Sequence, residues 1–244
     1  QYDLSCNPDF HQAAMFEKSG AAKLVDSAMQ GLKATILAYG ATSSGKTYTM
    51  SGMDQSSHGE DAAAVARPEL HDVGAHAGII PRAAAYLWRR MLQAEQSEGC
   101  HYTITASYCE VYNEQVFDLL NLTGKPLTVR HHPGDEEFYV TGLLEVQCES
   151  LEDVTAVLEE GHANRRRASH ELNQDSSRSH SLLVLHVVGE VGGSGPGAGV
   201  RKKGKLVFVD LAGSERLKKS KSECVAETGA INKSLFTLAK VISI

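Results

Sequence analysis

The sequence predicts a three-layer α/β domain with a mixed central sheet flanked by helices. Three observations predict it: an apolar run feeding a glycine-rich loop, strand-like and helix-like segments alternating after it, and two apolar runs facing each other across a second glycine-rich stretch.

Thr35-Ile36-Leu37-Ala38-Tyr39 is short, apolar and β-prone and runs into Gly40, the pattern of a buried strand ending in a turn; a helix is expected from Lys46. Gly52 to Ala77 is rich in Gly, Ser, His, Asp and Glu without periodicity and reads as a long surface loop. Pro81 then opens a helix that continues from Arg82 to Leu92. Thr103 to Val111 alternates as a strand, and Val116 to Leu120 starts another element. Leu151 to Arg167 has helical spacing, with Leu151, Val154, Val157 and Leu158 on one face. Ser181 to Val188 and Leu206 to Leu211 read as buried strands. The run Gly192 to Gly199 between them suits only a hairpin connection, which makes the sheet mixed. There is no internal repeat.

The chain has 244 residues, 42% hydrophobic and 22% charged, enough for one globular domain with a sizeable core. With 24 Lys and Arg against 30 Asp and Glu, net −6, attraction to an acidic polymer must come from a local basic patch, and nucleic acid is not expected as a partner. Cys6, Cys100, Cys109, Cys148 and Cys224 are odd in number and scattered, arguing against a disulfide framework or zinc site and for a reducing compartment. No apolar run of about 18 residues and no charged-then-apolar leader is visible, so no membrane insertion is expected and the default address is the cytoplasm.

Gly40-Ala41-Thr42-Ser43-Ser44-Gly45-Lys46-Thr47 fits the phosphate-loop pattern G-x-x-x-x-G-K-[ST] without mismatch. The glycines let the backbone curl so that N–H groups point at phosphate oxygens, and the following helix adds its positive end. Lys46 then reaches the β- and γ-phosphates of ATP as a point charge, and the Thr47 hydroxyl is placed to ligate Mg²⁺. The run Lys205 to Asp210 is an apolar strand ending in a carboxylate suited to the metal's water shell, followed by Leu211-Ala212-Gly213-Ser214-Glu215, where Gly213 offers a backbone N–H to a γ-phosphate. Asn173 to His180 is polar throughout; alone it reads as a capping and turn segment, and beside a triphosphate it suits a switch loop.

Together these motifs resemble the kinesin motor domain: Ala38 to Met50, Glu110-Val111-Tyr112-Asn113-Glu114 with Asp118-Leu119-Leu120, Asn173 to His180, Asp210 to Glu215, and Ile231-Asn232-Lys233-Ser234-Leu235, in family order and spacing. The resemblance implies that Asn173 to His180 is switch I, with Ser177 joining Thr47 on Mg²⁺ and Ser176 placing the attacking water. It implies that Asp210 to Glu215 is switch II, that Arg178 and Glu215 pair to close the switches, and that Tyr48 packs on adenine. Lys218, Lys219 and Lys221, in the loop before a relay helix containing Ala230 to Val241, and Lys233 within it, are the implied microtubule contacts. The implied function is an ATP-driven, cytoskeletal microtubule motor; the competing reading is a non-motile microtubule binder with impaired ATPase. A small-molecule kinase would need an acceptor lid that the sequence does not show.

Against the family pattern the sequence starts past the strand that ends in Arg-x-Arg-Pro and stops before the Tyr-Arg-Asp-Ser-Lys-Leu-Thr segment and neck linker. The expectation is therefore a partial motor domain over 1–244, marginally stable alone. Ala41 replaces a common Gln, His170 a common Thr, and the loop from Arg216 to Ala230 is about two residues short against flanking motifs. His131 and His132, adjacent on a strand, face opposite ways and do not share an ion; Arg165-Arg166-Arg167 reads as a helix-end charge cluster.

Overall fold

The computed structural model describes residues 3–7, 9–52, 73–134, 137–171, 176–192, 199–215, 231, 233–238 and 240–241. Helices α1 (Gln12–Lys18) and α2 (Ala21–Met29) precede strand β1 (Lys33–Ala38), the loop and α3 (Lys46–Ser51). Next come α4 (Ile79–Glu98), β2 (Cys100–Tyr112) and β3 (Gln115–Asp118). A separate hairpin, β4 (Thr128–His131) with β5 (Phe138–Thr141), is followed by β6 (Val146–Cys148), α5 (Leu151–Glu171), a 3₁₀ turn (Ser176–Arg178), β7 (His180–Val191) and β8 (Arg201–Asp210). The described residues from 231 to 241 are helical.

The sheet runs β1-β8-β7-β2-β3, with β6 also on β2; β1 and β8 are parallel and the other pairs antiparallel, the mixed sheet expected. β7 and β8 pair across the predicted connection, whose residues 193–198 lie outside the described ones. β8 starts earlier than its apolar run because Arg201 to Lys203, themselves exposed, continue the ladder against Val188 to Glu190 of β7.

Alternation along the strands sorts the two faces. Leu183, Leu185 and Val187 of β7 and Leu206 and Phe208 of β8 are buried in the main core with Val25, Leu87, Tyr108, Val154 and Leu158 from the sheet and from helices α2, α4 and α5. Gly204 brings α2 closest: a Cβ there would lie 1.7 Å from the Ala28 carbonyl oxygen. On the other face Leu182, Val184 and His186 are only half-buried. His180 reaches Ser234 of the terminal helical stretch while the next residue, Ser181, reaches α5, so that stretch lies on the opposite face and supplies the third layer.

The α1–α2 pair, the β4–β5 hairpin and the short β6 have no counterpart in the sequence reading. In the hairpin region His131 packs edge-on to Phe138 and His132 to Tyr139, each ring with its own partner. Among the described residues no helix is long and apolar enough to cross a membrane.

Candidate active site

The parallel register sets Ala38 beside Asp210, so the strand that delivers the loop and the strand that delivers the acid end together. The loop curls through two left-handed residues, Ser43 at φ 61° and Gly45 at φ 89°, and Ser44 N–H closes a turn on the Ala41 carbonyl at 3.2 Å. A Cβ on Gly40 would meet Ser44 Oγ at 2.6 Å, so the loop closes only over a glycine. Lys46 Nζ donates to the carbonyls of Gly40 at 3.0 Å and Ala41 at 2.8 Å, folded over the loop it is expected to serve. Tyr48 is exposed beside it.

Thr47 Oγ1 donates to Asp210 Oδ2 at 2.6 Å. The other oxygen, Oδ1, is buried with no hydrogen-bond partner among the described residues. A buried, orphaned carboxylate oxygen beside a threonine hydroxyl is a hard oxygen donor set, and it fits Mg²⁺.

The segment after β8 is stitched to the loop: Leu211 N–H donates to the Ala38 carbonyl at 3.2 Å and Ser214 N–H to that of Gly40 at 3.0 Å. Gly213 N–H donates to the Ser177 carbonyl at 2.7 Å, and a Cβ on Gly213 would lie 2.4 Å from Thr42 Oγ1. The three polar segments, distant along the chain, therefore meet. Glu215 accepts the Thr42 N–H at 2.8 Å and the Thr42 hydroxyl; these bonds, with the Lys46 charge, hold its carboxyl below the usual range. Ser176, Ser177 and Arg178 form the 3₁₀ turn beside this junction. Asn173 to Asp175 and Lys218, Lys219 and Lys221 lie outside the described residues. Lys233 is held by Glu114 of the β2–β3 turn.

The reading of Arg165 as part of a helix-end charge cluster is corrected. Helix α5 runs on to Glu171, and Arg165 is 5% exposed inside it. It donates to Asp210 Oδ2 at 3.1 Å, Ser181 Oγ at 3.2 Å, the Ser179 carbonyl at 2.9 Å and Glu110 Oε1 at 3.3 Å. A buried cation with five donors orients the acid at the end of β8, Glu110 near the end of β2 and the start of β7 at once. The available signal was its spacing from Val154, Leu158 and Gly161 along the apolar stripe of α5.

His180 is the second residue whose part the sequence reading missed. Ala212 N–H donates to its Nδ1 at 3.0 Å, which leaves Nε2 protonated to donate to Ser234 Oγ at 2.8 Å. Ser234 in turn donates to the Ile231 carbonyl at 2.8 Å. Burial, reinforced by Arg165, lowers the His180 pKa and keeps the ring neutral. It joins β7, the segment after β8 and the terminal helical stretch.

The family model described as the kinesin motor domain matches residues 1–244. The chain belongs to the kinesin family. It is similar to the kinesin-like protein KIF12 of Mus musculus, 38% identical over 96% of this chain and 35% of that protein. It is also similar to the kinesin heavy chain of Strongylocentrotus purpuratus, 35% identical over 99% of this chain and 21% of that one. Its fold superimposes on the solved structure of a fast kinesin with TM-score 0.84 and 32% identity, covering 100% of this chain and 62% of that chain. This kinesin sequence thus spans about a third of KIF12's length, 35%.

Proposed function

We propose that this chain binds Mg-ATP at Gly40 to Tyr48, hydrolyses it, and couples the cycle to microtubule binding and movement in the cytoskeleton. One observation carries the reading: Ser177, Gly213 and Thr42 meet at one point, beside the Thr47–Asp210 pair. Lys46 swings from the loop carbonyls to the phosphates, and the loop N–H groups hold them. Thr47 and Ser177, with Asp210 behind them, would hold Mg²⁺, which would supply positive charge against the phosphates. Ser176 places the water, and Gly213 N–H exchanges the Ser177 carbonyl for a γ-phosphate oxygen. Glu215 leaves Thr42 to pair with Arg178 as the switches close. Loss of phosphate reverses these exchanges, and His180 passes the movement of Ala212 to the helix carrying Ser234 and Lys233. Lys218, Lys219, Lys221 and Lys233 then face the acidic surface of tubulin.

Steady-state ATPase with and without microtubules tests this. The expected result is turnover stimulated by microtubules and reduced at least about a hundredfold by Lys46→Ala, as removal of a transition-state charge contact does. Microtubule binding with no turnover in the unmutated chain would refute it in favour of a non-motile binder.

A further inference from the structure

Helix α3 is gripped at both ends by polar contacts that lead to helix α5. At its first turn Thr47 donates to Asp210, Asp210 accepts from Arg165 at 3.1 Å, and Arg165 donates to Ser181 Oγ at 3.2 Å. At its far end the helix meets His162, about one turn before Arg165 on α5. Tyr108 Oη lies 3.3 Å from His162 Nε2, and the same nitrogen lies 3.0 Å from Oγ of Ser51, the last residue of α3. Arg165, through Asp210, and His162 thus tie the two ends of α3 to one helix.

The direction of the hydrogens follows from Tyr108, whose buried hydroxyl needs an acceptor for its hydrogen. Among the described residues its hydrogen-bond partner is His162. Tyr108 thus donates to His162 Nε2. That nitrogen is therefore an acceptor, the imidazole proton sits on Nδ1, and the Ser51 hydroxyl also donates to Nε2. Gly161 makes the approach possible: a Cβ there would lie 2.0 Å from Tyr108 Cδ1, so no other residue lets that ring lie against α5.

We infer that His162 is a positioning residue for the nucleotide site, fixing the far end of α3 through Ser51 to the same helix, α5, whose Arg165 orients Asp210. This rests on the reading of Gly40 to Tyr48 as the ATP loop. The six-residue helix is anchored by the buried Met50, by Gln12 Nε2 on the Tyr48 carbonyl at 2.6 Å and by Gly78 N–H on the Ser51 carbonyl at 3.2 Å; the Ser51 hydroxyl adds the side-chain tie to α5 that fixes its roll, and with it the aim of Lys46. The charged groups facing His162 are Arg165 from its own helix and Asp210 from β8, with the Tyr108 hydroxyl from β2; burial first, then Arg165, pushes its pKa down to about 4 against the opposing pull of Asp210.

Two measurements on the whole chain test the inference. Nitrogen-15 NMR of the imidazoles at neutral pH is expected to show His162 protonated at Nδ1 and bare at Nε2; protonation at Nε2 would overturn the assignment, whether or not the chain hydrolyses ATP. Basal ATPase is then compared for Ser51→Ala, His162→Leu, their double mutant and His162→Gln, whose carbonyl restores an acceptor. Each single change is expected to raise KM for ATP about two- to tenfold with a smaller effect on kcat, the double mutant to be no worse than the worse single, and His162→Gln to recover most of the loss. Losses that multiply in the double mutant, or a His162→Gln variant as poor as His162→Leu, would show that the ring only fills space. An unmutated chain that turns over no ATP while showing the expected tautomer would overturn the ATP-loop reading and the positioning role with it, leaving only the hydrogen-bond assignment.

Discussion

The two faces of the sheet differ in how they are held. On one, Leu183, Leu185 and Val187 are at most 1% exposed beneath α2, α4 and α5, and that helical layer also brings His162 and Arg165 to the strand ends. On the other, Leu182, Val184 and His186 are half-buried, and the described helical stretch is tied through His180 and Ser234. The first face has the density of a core, where small changes are felt; the described residues of the second are packed less completely. Under the proposed function, the helices of the first face hold the phosphate site and the second face carries its readout.

Removing the charge that joins the first face to the site is the severest way to break this division. Arg165→Met leaves Glu110 and Asp210 buried without their cation and is expected to cost about 3–5 kcal/mol of stability, read by urea denaturation, with basal ATPase lost. Next comes a direct comparison on one strand. Leu185→Ala should cost about 2–5 kcal/mol and Leu182→Ala less than about 1.5; equal costs would mean that the second face is as tightly packed as the first.

Acid separates the faces differently. The His162 pKa falls from 6.5 to about 4 on folding, so between those values the unfolded chain binds a proton that the folded chain refuses. Stability is then unaffected above pH 6.5 and lost as pH falls toward 4, by roughly 3 kcal/mol in all, with His180 and His186 adding in the same direction. Glu215, whose pKa is lowered from 4.5, keeps its contribution above that pH and loses it only below, outside most of the histidine window. Denaturation between pH 7.5 and 5 checks the sign, and His162→Gln should flatten the slope. The smallest effect is expected from Ser234→Ala, which strips His180 Nε2–H of its acceptor and should cost about 1 kcal/mol, read as a lower thermal midpoint.

Much of this was legible in the residues because the relevant physics is local. The loop from Gly40 to Thr47 carries its own backbone requirements, and the run ending at Asp210 shows both the apolar strand and the acid it delivers. The strand–glycine–strand pattern around residue 195 sufficed for an antiparallel pair and hence a mixed sheet. What stayed hidden depends on contacts between distant segments. Arg165 stands among three consecutive arginines, and only its place on the stripe with Val154, Leu158 and Gly161 distinguishes it from Arg166. His162 and Ser51 are separated by much of the chain, and nothing near either residue announces the other. The α1–α2 pair was missed although Ala21, Val25, Ala28 and Met29 have helical spacing, because Gly20 splits the pattern into two short pieces. The β4 and β5 strands are largely exposed and lack the apolar alternation that marks the central ones.

Gly204 acts as a spacer of zero thickness. With the Ala28 carbonyl pressed onto its α-carbon, β8 and α2 are separated by backbone alone, so the depth of the domain at that point is set by the absence of a single methyl group. Gly204→Ala would pry the helix from the strand and tilt the far end of β8, moving the Asp210 carboxylate from a site the substituted residue never touches.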